Sequence, residues 1–575
     1  MREQLSWKVG GQQGEGIEST GEIFSTALNR LGYYLYGYRH FSSRIKGGHT
    51  NNKVRIATKQ IRAVSDDLDI LVAFDQETID VNAHELVADG IIIADSKCNP
   101  SLPSGIQATL LSVPFTEIAS EEGNALMKNM VAIGATCAVM NLKSDIFQEV
   151  VAEKFRKKGT AVLENNRRAL ERGKAYVSSL NQHASLTLQQ GDQKRRMFLI
   201  GNDAISLGLL AGGCRFMAAY PITPASEIME YMIEKLPKFG GSVIQTEDEI
   251  AAATMAIGAN YAGVRTVTAS AGPGLSLMME SIGLAGMTET PLVIIDTQRG
   301  GPSTGLPTKQ EHSDLMAMLY GTHGEIPKIV MAPSTVEEAF YDAVEALNLA
   351  DEYQCPVILL SDLQLSLGKQ TVDPFLYERI TIRKGKIGSG MKQDSDPIKR
   401  YQVTPDGIST RVLPGTKNSI FHVTGVEHNE SGKPDESPVN RKEQMDKRLR
   451  KLQNLPDTFK EPVYMSNSLP EADVLLVGFN STRGVLEEVQ AMLEEDGLTV
   501  QHAHIRLLHP FPEKQVAGLM DKAKKVIVVE NNATGQLSSL IRMHVGGISK
   551  LQPILQYDGT PFLPNALYEA CKERI

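Results

Sequence analysis

The sequence predicts an α/β protein of several domains, built on doubly wound, mostly parallel sheets. Three observations predict it. The chain has 575 residues, and at roughly 100–200 residues per domain that length makes about three to five of them. Short apolar runs alternate with helical patterns, the signature of β-α-β units. Glycine-rich turns follow several of the apolar runs, where a strand hands over to a helix. Apolar residues make up 42% and charged residues 22%, an ordinary balance that excludes collagen-like, disordered and disulfide-scaffold classes. With 59 basic against 68 acidic side chains the net charge is −9, so neither nucleic acid nor a membrane surface is an expected partner. The polar opening and the absence of any apolar run near 20 residues point to a cytoplasmic protein.

In the first segment, 1–190, strands are expected at 6–9, 52–56, 70–74 and 90–94, with helices at 17–31 and 161–180 and a polar linker after them. The second, 197–374, is richer in apolar residues. Its expected strands are 217–220, 242–245, 266–269, 292–296, 329–332 and 357–361, and its helices 225–236, 248–262, 274–287 and 336–353. From 375 to 470 the chain turns charged and turn-rich, which predicts an extended arm with one polar helix. The last segment, 471–575, returns to α/β alternation. Cys98, Cys137, Cys214, Cys355 and Cys571 lie far apart, so no local thiolate set can hold zinc or an iron–sulfur centre, and the sparse count suits a reducing compartment.

Several motifs could carry chemistry. Gly10 to Gly16, GGQQGEG, lie between a strand and a helix, where backbone amides can meet an anion. Their order reverses the dinucleotide fingerprint, which leaves a tight structural turn or another anion. Arg39, His40, Arg44, Lys46 and His49 form a basic loop, either a solvated surface or an anion contact. Tyr220-Pro221-Ile222-Thr223-Pro224 follows a strand, and its two prolines would present Thr223 at the carboxyl end of the sheet; a plain helix-capping turn is the alternative. Glu247, Asp248 and Glu249 open a small-residue helix that reaches Gly258, and the helix dipole alone would explain them. The loop from Gln298 to Lys309, QRGGPSTGLPTK, offers the fork of Arg299 to a carboxylate, with Thr304, Thr308 and glycine amides as further donors. Ser270 to Gly274, SAGPG, makes another strand-to-helix turn. No histidines are spaced as a metal site.

Read together and in order, YPITP, QTEDEIAAATMAIGA, SAGPGLSLMMESIGLAGMTETP and RGGPSTGLPTK resemble the α subunit of the 2-oxoacid:ferredoxin oxidoreductases. GGQQGEGIEST and FSSRIKGGHTNNKVRI resemble that family's γ part, as in the bacterial 2-oxoglutarate type in which γ is fused ahead of α. The resemblance implies a γ-type α/β domain, a pyrimidine-type thiamine-diphosphate domain and a C-terminal domain like that of transketolase. It implies oxidative decarboxylation of a 2-oxoacid to an acyl-coenzyme A, with pyruvate and branched-chain acids as alternatives to 2-oxoglutarate. Glu249 would activate the cofactor's pyrimidine, and Tyr220, Pro221, Ile222 and Thr223 would line the cofactor. Arg299, with Thr304 and Thr308, would bind the substrate carboxylate, while Gly14, Arg44 and Lys46 are candidates for coenzyme A.

The sequence has no Gly-Asp-Gly of the kind that holds diphosphate through magnesium. The family places that motif and a 4Fe–4S cluster on a β subunit, which implies an (αβ)2 heterotetramer handing electrons to ferredoxin. The competing reading from another class is a non-catalytic nucleotide-binding α/β scaffold.

Overall fold

In the computed structural model of the chain, residues 1–41, 48–180, 185–388, 398–546 and 549–575 are described. Two compact units form: residues 1–199, 367–374 and 562–566 make the first, and 200–366, 375–561 and 567–575 the second. No described helix is long and apolar enough to cross a membrane.

The first unit holds an eight-stranded sheet, ordered Thr109–Val113, Leu86–Asp95, Leu68–Ala73, Gln4–Gln12, His49–Ala57, Tyr34–His40, Lys369–Val372 and Met197–Ile200. Its first four strands are parallel. From Gln4–Gln12 onward to Lys369–Val372 the pairing is antiparallel, which corrects the expectation of a mostly parallel sheet here. The reason is local: the link between Tyr34–His40 and His49–Ala57 is too short for the crossover that parallel neighbours need. The core centres on Trp7, fully buried and stacked on Phe24 at 4.2 Å.

The second unit holds a seven-stranded sheet, ordered Leu507–His509, Ile329–Met331, Pro356–Asp362, Leu292–Gln298, Thr266–Ser270, Phe216–Ala219 and Ser242–Gln245. All are parallel except Leu507–His509. A five-stranded sheet takes Val463–Met465, Val500–Ile505, Ala472–Gly478, Ala523–Glu530 and Leu551–Leu555. The last segment does not stand apart as a separate body. Leu507–His509 extends the larger sheet, and one core joins Leu275, Met278 and Ile294 to Phe479, Leu508 and Phe511.

Residues 375–470 depart from the extended arm that their composition predicts. The polar helix forms, as Pro438–Arg450, with Ser437 as its cap. The segment nevertheless packs onto its own unit, with Tyr401 and Lys447 fully buried. Lys447 Nζ and Lys451 Nζ each lie 2.6 Å from a carboxylate oxygen of Glu289, and Arg400 donates to the Glu289 carbonyl at 2.8 Å. Charges that read as solvated are here paired with one another, which is how buried charge is tolerated. Burial alone would push Glu289 up, but Lys451 and Lys447 hold it well below the usual carboxylate range. Burial pulls Lys447 down to about 8 against the attraction of Glu289.

Replacing Glu289 by alanine leaves two ammonium groups buried without a counter-charge. The expected cost is about 3–5 kcal/mol, read by urea unfolding of the full-length chain. A loss below about 1 kcal/mol, the worth of an exposed pair, would contradict this account of the segment.

Candidate active site

The candidate residues of the second unit gather at the carboxyl ends of its parallel strands, where ligands bind in open α/β sheets. After Phe216–Ala219 comes the Tyr220–Pro224 turn, with a cis bond between Thr223 and Pro224. Tyr220 is exposed, Pro221, Ile222 and Thr223 are half-buried, and Asn202 Nδ2 fixes the turn by donating to the Pro224 carbonyl at 2.8 Å.

The three acidic residues ahead of helix Glu249–Tyr261 have three different environments. Glu247 faces solvent. Asp248 caps the helix, accepting from the Ala251 amide at 2.7 Å. Glu249 turns inward and is only 6% exposed. It lies against the first turn of helix Gly272–Met287, and glycine makes that approach possible. A Cβ on Gly274 would sit 2.6 Å from Glu249 Oε1 and 2.0 Å from Ser270 Oγ. The carboxylate therefore reaches the positive end of a second helix besides starting its own. Helix Glu249–Tyr261 packs through Ala252, Ala253, Ala256 and Ile257, whereas a Cβ on Gly258 would meet nothing within 4 Å.

Arg299 immediately follows strand Leu292–Gln298 and is buried. Its Nη1 donates to the Thr223 carbonyl and its Nη2 to the Thr304 carbonyl at 3.4 Å, while Nε has no partner among the described residues. The guanidinium thus ties the Tyr220–Pro224 turn to the 298–309 loop and keeps donors to spare. Thr304 itself is exposed and reaches Arg299 through its backbone; Thr308 is half-buried in the same loop. The loop closes on itself, with Leu306 N donating to Gly300 O at 2.8 Å and Gly300 N to Lys309 O at 3.0 Å. Beyond it His312, fully buried, is pinned by Asp362 at 2.8 Å, so this histidine is structural. His502 and His504 alternate on strand Val500–Ile505, both buried.

Three polar residues of this region carry no role in the sequence reading. Ser270 and Asp296 are register partners on adjacent strands, and Asp314 precedes helix Leu315–Tyr320. Burial raises Asp296 well above the ordinary carboxyl value, and the nearby charge of Asp314 adds to it. Asp314 is pushed up to about 6 by burial and by Glu311, against the pull of Arg299. The available signal was an aspartate inside the otherwise apolar run of a buried parallel strand, Leu292–Gln298.

In the first unit Gly14 lies in the turn after Gln4–Gln12 at φ +102°, with open space where a side chain would be, and Gly16, also left-handed, starts helix Ile17–Arg30. Arg44 and Lys46 lie outside the described residues. Of the basic loop, Arg39 is ion-paired with Glu18, and His49 Nε2 lies 3.1 Å from Asn82 Nδ2.

The second unit therefore offers a buried carboxylate beside a helix start and a guanidinium with free donors, and it exposes apolar side chains at Tyr220, Ile244 and Ile250, on or next to the elements that bear them. That set suits an aminopyrimidine ring and an anionic substrate. Among the described residues no group of three or more His, Cys, Asp or Glu is arranged to hold a metal ion.

Comparison with known proteins identifies relatives of the chain. Residues 207–447 match the family described as pyruvate flavodoxin/ferredoxin oxidoreductase, thiamine-diphosphate-binding; residues 6–176 match pyruvate ferredoxin/flavodoxin oxidoreductase, and 472–566 the pyruvate:ferredoxin oxidoreductase core domain II. A 2-oxoacid:ferredoxin oxidoreductase subunit alpha from Sulfolobus is 36% identical over 99% of this chain and 96% of its own. The 2-oxoglutarate oxidoreductase subunit KorA of Mycobacterium tuberculosis is 30% identical over 98% of this chain and 90% of its own. Among solved structures, the 2-oxoglutarate:ferredoxin oxidoreductase of Magnetococcus marinus, with 2-oxoglutarate, coenzyme A and succinyl-CoA bound, superposes with a TM-score of 0.94 at 37% identity, over 100% of both chains.

The two helix glycines should respond oppositely to alanine. Gly274→Ala drives a methyl group into Ser270 and Glu249 and should destabilise the isolated chain by about 1–3 kcal/mol. Gly258→Ala meets no neighbour and should stabilise it by about 0.5–1 kcal/mol. Thermal unfolding of the two variants distinguishes them, and equal shifts would contradict the packing described.

Proposed function

Because this chain belongs to the α subunits of the 2-oxoacid:ferredoxin oxidoreductases, we propose that it forms half of a site that oxidatively decarboxylates 2-oxoglutarate. In that reaction 2-oxoglutarate and coenzyme A give succinyl-coenzyme A and carbon dioxide, and two electrons leave one at a time for ferredoxin. The observation that carries this reading is Glu249, a carboxylate buried at one helix start and lying against the start of a second.

Thiamine diphosphate, when bound, supplies the carbanion that attacks the 2-oxo carbon and the electron sink for the departing carbon dioxide. Glu249 holds and returns the proton at the pyrimidine nitrogen, a task for a carboxyl group shielded from water. Tyr220, Pro221, Ile222 and Thr223 form the rigid turn that lines the cofactor. Arg299 pairs with the substrate carboxylate through its unused donors, and the loop bearing Thr304 and Thr308 closes around it. Buried and low in competing water, that guanidinium favours an anionic 2-oxoacid over a neutral analogue.

A β subunit supplies magnesium for the diphosphate and the 4Fe–4S cluster, two copies of each chain making the working (αβ)2 assembly. The donor set here supports that division, since it serves a pyrimidine and a carboxylate. In the first unit, the turn at Gly14, together with Arg44 and Lys46, is the proposed contact for coenzyme A. The choice of 2-oxoglutarate follows the relatives bearing that name, and pyruvate and branched-chain acids are the alternatives.

Glu249→Gln in the chain co-produced with its β subunit should lower kcat by about 10²–10⁴-fold while the subunits still co-purify; near-native turnover would overturn its role. Arg299→Ala should raise KM for 2-oxoglutarate about 10–100-fold. Steady-state rates with a panel of 2-oxoacids and a viologen acceptor decide the substrate: 2-oxoglutarate should have the highest kcat/KM, and a clear preference for pyruvate would contradict that choice.

A further inference from the structure

The loop that bears Arg299, Thr304 and Thr308 leaves the sheet at Gln298 and ends where helix Leu315–Tyr320 begins. Two glutamines root it, Gln298 at its start and Gln310 towards its end, and both are fully buried. A buried amide is tolerated only where its hydrogen bonds are made. These two make theirs to the same place.

Gln298 reaches three separate parts of the second unit. Its Nε2 donates to the Ser361 carbonyl at 3.2 Å and to Asn480 Oδ1 at 3.1 Å, while its Oε1 accepts from the backbone amide of Asp314 at 3.3 Å. One side chain therefore ties the residue before Arg299 to the far end of the loop. Gln310 repeats the pattern: its Oε1 accepts from the backbone amide of Gln364 at 2.8 Å, and its Nε2 donates to Ser481 Oγ at 3.3 Å.

The two glutamines thus stand on consecutive residues, Asn480 and Ser481, in the turn between strand Ala472–Gly478 and helix Thr482–Glu495. That turn is itself held. Asn480 is fully buried at φ +51°, a conformation that asparagine tolerates better than most side chains. Its Nδ2 donates to the Pro333 and Leu360 carbonyls at 3.2 and 2.7 Å, which leaves Oδ1 as the acceptor for Gln298. A carbonyl can only accept and a backbone amide only donate, so the chemistry of the partners fixes the orientation of all three side-chain amides. The Ser481 backbone amide donates to Asp362 Oδ2 at 2.9 Å, the carboxylate that also holds His312.

None of Gln298, Gln310, Asn480 and Ser481 has a buried side-chain nitrogen or oxygen left without a partner, whereas Arg299 keeps Nε unpaired among the described residues. A saturated buried network is rigid and specifies one arrangement. An unpaired donor on the next residue is available to a ligand. Recognition of a carboxylate by a guanidinium fork needs both groups in one plane, so small displacements of the arginine cost affinity.

We infer that Gln298 and Gln310, standing on the Asn480–Ser481 turn, are positioning residues that hold Arg299 where its unused donors meet the substrate carboxylate. The inference rests on the proposed role of Arg299 in binding that carboxylate. It gives the last segment of the chain a part in substrate binding that involves no contact with substrate.

The test uses two variants of the chain co-produced with its β subunit, each made alone and together with Arg299→Ala. Gln298→Met keeps the side-chain length and removes all three hydrogen bonds; Ser481→Ala removes one hydroxyl and is the milder change. Gln298→Met should raise KM for 2-oxoglutarate about 3–30-fold and Ser481→Ala about 3–10-fold, with kcat within about twofold of native. Because both act through Arg299, neither should raise KM more than about 1.5-fold once Arg299 is alanine. A merely structural role would lower kcat at native KM, or multiply KM by the same factor with and without the arginine, and either result overturns the inference. Should the Gln298→Met chain fail to assemble, Ser481→Ala and its double variant decide by the same criteria. If Arg299→Ala raises KM while the other variants keep the native value, the carboxylate-binding role of Arg299 survives and only the positioning role falls. If Arg299→Ala leaves KM unchanged, both fall.

Discussion

The start of helix Gly272–Met287 is the constraint on which the rest of the site depends. Its free amides and positive dipole end face Glu249 on one side and Asp314 on the other, and only glycine at 272 and 274 leaves room for both. Without that approach Glu249 would have no reason to leave solvent, and a carboxylate at a helix start would be a capping residue like its neighbour Asp248. The seven-stranded sheet fixes the geometry further. Strands Thr266–Ser270 and Leu292–Gln298 run parallel and in register, which brings SAGPG and the arginine loop to the same edge.

The polar surroundings act as support for this edge. Arg299 holds two turns through their carbonyls, and the His312–Asp362 pair fixes the chain just beyond the loop. Further out, Glu289 follows helix Gly272–Met287 and anchors Lys447 and Lys451 of the segment 375–470. The same helix thus begins at the chemistry and ends at the buried ion cluster. Such a cluster contributes little net free energy compared with an apolar core, but removing one partner is costly. Its value is in defining how the polar segment packs.

Much of this was legible in the sequence. Buried parallel strands such as Leu292–Gln298 and Pro356–Asp362 read as continuous apolar runs, Thr223 and Arg299 stood out because each follows a buried strand with a rigid or charged turn, and Glu249 because it opens a small-residue helix after the short strand Ser242–Gln245. Other features were not legible, for physical reasons. A helical pattern identifies the face of a helix but not what it meets, so the close approaches at Gly272 and Gly274 emerge only in three dimensions. Composition counts charges without pairing them, so residues 375–470 read as an arm. Antiparallel pairing of Tyr34–His40 with His49–Ala57 depends on a connection length that could have been weighed from the sequence. Asp296 was visible as a charge in an apolar strand, yet its lack of partners emerges only in three dimensions.

The central claim is that this chain carries the pyrimidine and carboxylate half of a shared site. Calorimetric titration of magnesium thiamine diphosphate tests it most directly, into the purified full-length chain and into the chain co-produced with its β subunit and freed of cofactor. The account predicts no saturable binding to the chain alone and stoichiometric binding, one per αβ pair, to the complex. Equally tight binding to the chain alone would contradict it.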